Sequence, residues 1–247
     1  MIVKIKNQLH AILLVIGLSM LLLVLSILGK NSDTFVFWGS ASRQVFADVA
    51  NQNIRQTDHF NWSFIFIFTV VVYIYFTELK QKNYKGLAAA LALYGVHFIY
   101  EILNAIIQSI FGYALWTVSP ESTSFMLLIG VSWELSMMFA VAGLIMSKLL
   151  PEDKDLKILG MNNRVFFAIL NALFFSLFEI FLAGTNAFIW TYAWWGTIPV
   201  FITTYIPFFL AAFLIYDAKP KTQIKFLSIC WGIVVLLLIT LIPLGII

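Results

Sequence analysis

The chain reads as an all-α, polytopic integral membrane protein of seven transmembrane helices, and three observations carry that reading. Of its 247 residues, 62% are hydrophobic and 11% are charged, and the mean hydropathy is +0.94, outside the range of an ordinary soluble domain. Apolar runs recur at roughly 10–29, 61–78, 87–112, 122–148, 165–184, 196–216 and 224–246, each near or above the ~20 residues that a ~30 Å hydrocarbon core demands of a helix. Basic residues gather in alternate connectors. An N-in, C-out topology places Lys4, Lys6, Lys80, Lys82, Lys85, Lys148, Lys154, Lys157, Arg164, Lys219, Lys221 and Lys225 inside, which is 12 of the 15 Lys and Arg, and leaves Lys30, Arg43 and Arg55 in one outer loop. Little chain remains for a second domain, so residues 1–247 form one transmembrane unit in the cytoplasmic membrane. The net charge of +3 comes from the inner connectors and speaks for topology and anionic headgroups, not for nucleic acid.

Taken in order, Lys4 and Lys6 precede an apolar core of about 19 residues, longer than the 7–15 of a cleaved signal, so the first run is expected to stay as a helix. Span 1 is featureless and suits a lipid-facing position. Segment 30–60 mixes charge with apolar residues at helical spacing, with Ser40 or Ser42 as an N-cap; it reads as a connector or as an interfacial helix lidding a site. Span 2 ends in an aromatic cluster at a basic turn. Span 4 carries Ser132, Glu134 and Ser136 at mid-depth, and span 5 carries Asn171 and Glu179. In the connector that follows, Trp190, Tyr192, Trp194 and Trp195 read as an outer aromatic belt. Span 6 is polar and proline-kinked through Pro199, Thr203, Thr204, Tyr205 and Pro207, suited to line a cavity. Span 7 is plain and peripheral. Its Cys230 is the single cysteine, which excludes an intrachain disulfide. The polar core is therefore expected from spans 3–6.

Span 3 holds the organising stretch, YGVHFIYEILNAIIQ at 94–108. His97, Glu101, Asn104 and Gln108 recur at i, i+4, i+7 and i+11, which stacks them on one helical face. In hydrocarbon such groups need partners or a cavity, so the seam faces other helices. Counting along the spans puts Glu101 and Glu134 nearly level, ~16–18 Å below the outer edge, with Glu179 shallower. The expected pocket has Glu101, Glu134 and His97 at its floor, and Glu179, Asn186 and Trp190 nearer its mouth.

No lysine or arginine lies deep in these spans. Two acids sharing one apolar cavity without a countercharge form an acid/base pair, and aromatic walls stabilise a carbocation. Glu101 and Glu134 are the expected catalytic acids with His97 as proton partner, and Asn104, Gln108, Glu179, Asn186, Trp190 and Tyr205 the substrate-binding set. The Glu-x-x-His pairs of di-iron bundles are absent, and His10 and His59 lie outside the core, so no metal and no cofactor is expected.

Two families are similar in these segments. EILNAIIQSIFGYALWTVSP at 101–120 and EIFLAGTNAFIWTYAWWGTIPVFITTY at 179–205 resemble the carotenoid-biosynthesis membrane proteins that include carotenoid hydratases. That resemblance implies addition of water to an isoprenoid double bond. HFIYE at 97–101 with SWELS around Glu134 resembles the emopamil-binding sterol isomerases, which implies an isomerisation driven by buried acids. Residues and resemblances converge on one expectation: a membrane-embedded lyase or isomerase doing acid/base chemistry on an isoprenoid-type lipid. Its alternatives are a proton- or cation-coupled transporter relaying through the same glutamates, and a non-catalytic assembly subunit in which the seam is interhelical glue.

Overall fold

The computed structural model describes residues 10, 12–21, 24, 36–57 and 60–247. Lys4, Lys6, Lys30, His59, the end of the first apolar run and the start of segment 30–60 lie outside the described residues. The chain is mostly helical. The helices are α1 (Ile12–Leu21), α2 (Gln44–Gln52), α3 (Phe64–Lys80), α4 (Tyr84–Phe111), α5 (Trp133–Ser147), α6 (Asn163–Gly184), α7 (Thr197–Asp217) and α8, Pro220–Leu241. Four of them, α4, α6, α7 and α8, are long and apolar enough to cross a membrane, whereas α1 and α5 are shorter.

α4 is the axis of the bundle, packing against α3, α5, α7 and α8. Small residues make that possible: Ala89, Ala90 and Ala92 are fully buried, and Gly143 of α5 lies directly on the Ala89 carbonyl. α6 packs on α7, while α5 and α6 scarcely touch one another, as do α4 and α6. That leaves an interior space bounded by four helices. α8 is mostly exposed, a lipid-facing position.

Two departures from the expected all-α spans matter for function. The run expected as a helix from 122 instead begins with a hairpin, β2 (Met126–Leu128) paired to β3 (Val131–Ser132). The helix starts only at Trp133, with the Ser132 side chain accepting from Leu135 N at 3.4 Å. A continuous apolar run such as MLLIGV has no period that separates strand from helix. The second departure is a roof over the bundle, where β1 (Trp116–Val118) pairs antiparallel with β6 (Phe188–Trp190), placing Trp116 opposite Trp190; β4 (Lys157–Ile158) and β5 (Met161–Asn162) form a separate hairpin between α5 and α6. Trp190 and Trp195 are buried beneath the roof rather than forming a belt, and of the expected four Trp194 is the well-exposed one, at 60%. Residues 37–39 clamp the roof: Gly39 N donates to Trp195 O at 2.8 Å and Thr197 N to Phe37 O at 3.0 Å. A side chain on Gly39 would collide with the Trp190 and Tyr192 carbonyls.

The opposite end collects Lys80, Lys82, Lys85, Lys148, Lys154, Lys157, Arg164, Lys219, Lys221 and Lys225. Ion pairs lock it. Lys148 after α5 bonds Glu78 of α3, and Arg164 of α6 grips Asp217 of α7 through two bonds of 2.6 and 2.9 Å. Arg164 is buried and Asp217 partly exposed, so a coupling energy of about 1–3 kcal/mol is expected from the cycle Arg164→Ala, Asp217→Ala and the double variant. Unfolding midpoints in detergent measure it, and additivity of the two single effects would show the pair to be inert.

Candidate functional site

Four helices and the roof enclose a cavity of about 30 Å³ whose walls include His97, Glu101, Trp116, Gly130, Glu179, Thr204 and Tyr205, with Phe139, Phe178 and Phe208 among the apolar remainder. No lysine or arginine among the described residues lines it. Its two acids are Glu101 and Glu179, not Glu101 and Glu134. Glu101 reaches it from α4 and Glu179 from α6.

Glu101 accepts from the Trp116 indole nitrogen, which lies 3.2 Å from both carboxylate oxygens. One turn earlier, His97 Nε2 stands 3.3 Å from Glu101 Oε1, off the line of a directed hydrogen bond, and the ring stacks on Phe139 at 4.0 Å. Gly130, in the β2–β3 turn, lies against Glu101, Trp116 and Asn104 so closely that a methyl group there would overlap all three. Across the cavity, Tyr205 donates its hydroxyl to Glu179 Oε1.

Tyr205 owes its position to a break in α7. Residues Phe201–Tyr205 form a π-turn, closed by Ile206 N donating to Phe201 O, and such turns concentrate at functional sites. Pro207 carries no N–H for the carbonyl of Thr203 four residues back. Tyr100 of α4 supplies the missing donor instead, at 2.9 Å. Two prolines in one span are thus the legible sign of the distortion that turns Thr204 and Tyr205 inward.

Several polar atoms at the cavity have no hydrogen-bond partner among the described residues: Glu179 Oε2, Thr204 Oγ1 and both ring nitrogens of His97. Buried groups of this kind are costly unless satisfied. The volume of about 30 Å³ exceeds the ~10–15 Å³ that one water requires, and these groups supply the two to four partners such a water needs.

The other expected site residues lie elsewhere. Glu134 is in the first turn of α5, where it accepts from Thr123 Oγ1 (2.8 Å) and Ser124 N (2.7 Å), tying down the connector before the hairpin. The unexpected hairpin occupies the chain that would have carried Glu134 to mid-depth. Asn104 and Gln108 do not line the cavity. Asn104 accepts from Leu115 N at 2.8 Å and donates to Trp116 O at 2.9 Å, and Gln108 accepts from Ala114 N at 2.7 Å and donates to Gly112 O at 2.8 Å. Together they splint residues 112–116 onto α4. Asn186 is exposed in a left-handed turn (φ 57°) after α6, a conformation asparagine tolerates. Trp190 is fully buried beside Glu179. Trp116 carries no local sequence signal, since long-range pairing places it, and Gly130 sits in a hairpin that a continuous apolar run does not announce; Thr204 is legible beside the prolines of its span. Among the described residues, no group of three or more His, Cys, Asp or Glu is placed to hold a metal ion.

Fold and site together define a helical integral membrane protein with an acidic, aromatic-walled interior cavity. The model of a family described as an uncharacterized membrane protein family matches residues 44–243, and the chain belongs to that family. The matched family is neither that of the carotenoid hydratases nor that of the sterol isomerases. An uncharacterized protein of Archaeoglobus fulgidus is 41% identical over 167 residues, 66% of this chain and 79% of that protein. No solved structure matches.

Because Gly130 is wedged against the acid cluster, Gly130→Ala is expected to displace the Trp116 indole and to cost about 1–3 kcal/mol of stability. Unfolding in detergent and tryptophan emission check this; an unchanged spectrum and midpoint would mean the turn yields freely.

Proposed function

We propose that the protein is a membrane-embedded enzyme that adds water to a double bond of an isoprenoid-type lipid, with Glu101 and Glu179 as its acid/base pair. One observation carries the reading: two carboxyl groups, a tyrosine and a histidine share an apolar cavity of water size that no lysine or arginine among the described residues lines. The proposal keeps seven membrane crossings and an N-in, C-out orientation in the cytoplasmic membrane, with the lysine-rich end inside.

Glu179 gives its proton to one olefin carbon. The positive charge on the other carbon is stabilised by the faces of Phe139, Phe208 and Trp116. Water held between the acids attacks that carbon, and its proton passes to Glu101, which the Trp116 indole N–H supports. Proton exchange between the acids through water restores the start. Tyr205 orients Glu179.

Access from the bilayer supports a lipid substrate. Leu135 and Met138 of α5 and Phe178 and Leu182 of α6 line the cavity and are only half-buried, at the seam where the two helices scarcely touch. Transport fits less well. Toward the basic end the bundle is filled by Phe139, Phe175, Phe208 and Phe209, all under 7% exposed, and Phe175 stands between Glu179 and Asn171 on one face of α6. The isomerase resemblance loses its second acid, because Glu134 is outside the cavity.

Membranes containing the protein, given mixed isoprenoid lipids in ¹⁸O-labelled water, are expected to yield labelled hydroxylated lipid. Glu101→Gln and Glu179→Gln should each lower the yield at least about 100-fold, the usual weight of a positioned acid or base, and Tyr205→Phe less. Labelling undiminished in both glutamine variants would reject the acid/base assignment.

A further inference from the structure

Away from the acid cavity, at the lysine-rich end, a groove of about 640 Å³ runs between the start of α4 and the start of α8. Its walls are Leu87, Ala88 and Leu91 of α4 and Ile224 and Leu227 of α8. Trp231 of α8 ties the two helices together beside it by donating to Leu91 O at 3.1 Å. At the mouth stand Lys82 and Lys85. Neither has a carboxylate within ion-pair distance among the described residues, and the nearby Glu78 is already engaged by Lys148 and Asn83. Lys82 is held at φ 58° in the turn between α3 and α4, and Lys85 lies in the first turn of α4.

We propose that this groove is a specific site for an anionic phospholipid. The phosphate lies between Lys82 and Lys85, and one hydrocarbon chain lies along Leu87, Leu91, Ile224 and Leu227. Charge and wall chemistry select this occupant. A basic mouth continuous with an apolar trough between two membrane helices matches a lipid with a charged head and a greasy tail, while a soluble anion would leave the trough unfilled. Tyr84 and Ile224, 60% and 66% exposed, are the residues such a chain covers. The positive ends of α4 and α8 face the same mouth and add to the attraction. The site is separate from the acid cavity and does not depend on the reaction proposed there.

Native mass spectrometry of the purified full chain tests this, with an anionic and a zwitterionic phospholipid of identical chains. The wild-type protein is expected to retain the anionic lipid with a preference of roughly thirtyfold, the weight of two lysines near a headgroup. Lys82→Gln/Lys85→Gln should erase the preference, and Leu91→Trp, which fills the trough, should lower retention of both lipids. Lys154→Gln/Lys157→Gln removes equal charge from the same end outside the groove and should change nothing. Thermal unfolding of each variant confirms that it is folded. Equal loss in the two double variants would reduce the effect to general surface charge and overturn the site. Full displacement of the lipid by inorganic phosphate would also overturn it, by showing that the trough contributes nothing.

Discussion

The hydrogen bond from the Trp116 indole to the Glu101 carboxylate is the interaction on which the outer half of the molecule depends. A carboxylate inside an apolar bundle demands donors, and α4 cannot supply them from its own backbone. The donor comes from a strand that would itself be unsatisfied in the bilayer, where every backbone amide and carbonyl must find a partner. Each solves the other's problem. Asn104 and Gln108 extend the exchange by holding residues 112–116 along the same face of α4. Once β1 is fixed there, β6 pairs with it, Trp190 is carried under the roof and α6 is led in at the level that sets Glu179 opposite Glu101.

This explains why a polar stripe of four residues serves two purposes. Its inner members, His97 and Glu101, face the cavity, whereas Asn104 and Gln108 act as structural splints. The division falls where the chain leaves the helix and returns along it. Amides suit the splint because each offers a donor and an acceptor to backbone groups in mixed orientation. A carboxylate there would leave the Trp116 and Gly112 carbonyls without donors. The inward pair is different in kind, since an imidazole and a carboxylate can exchange protons.

The sequence made the helices and the polarity of α4, α6 and α7 legible, because hydropathy and a 3.6-residue period survive in a single chain. It also made Glu101, Glu179 and Tyr205 visible as intramembrane polar residues. What it hid was depth. Counting residues from the end of an apolar run assumes that the whole run is helix, and the stretch at 122–132 is not. The hairpin consumes the length that would have carried Glu134 to the level of Glu101, so Glu134 caps a connector instead. The mirror error placed Glu179 too near the surface: the roof strands and the buried Trp190 and Trp195 add a layer of protein above it. Pairing between residues 116–118 and 188–190 is a long-range choice with no local period to announce it, so Trp116 could not be anticipated.

The distortion of α7 completes the site at a cost to the helix that its neighbour offsets. A regular helix through 201–205 would present Thr204 and Tyr205 at a different rotation, whereas the π-turn inserts one residue and shifts the face that follows. Pro207 removes a donor from the carbonyl of Thr203, and the Tyr100 hydroxyl restores it. Tyr100 lies one residue before Glu101 on α4. The helix that presents the first acid therefore also secures the backbone that positions Tyr205 against the second, so the geometry of the two carboxyl groups is coupled through α4 and not through α6, with which α4 has almost no direct packing. Loosening Tyr100 would disturb Glu179 from across the cavity while leaving the packing of α6 on α7 intact.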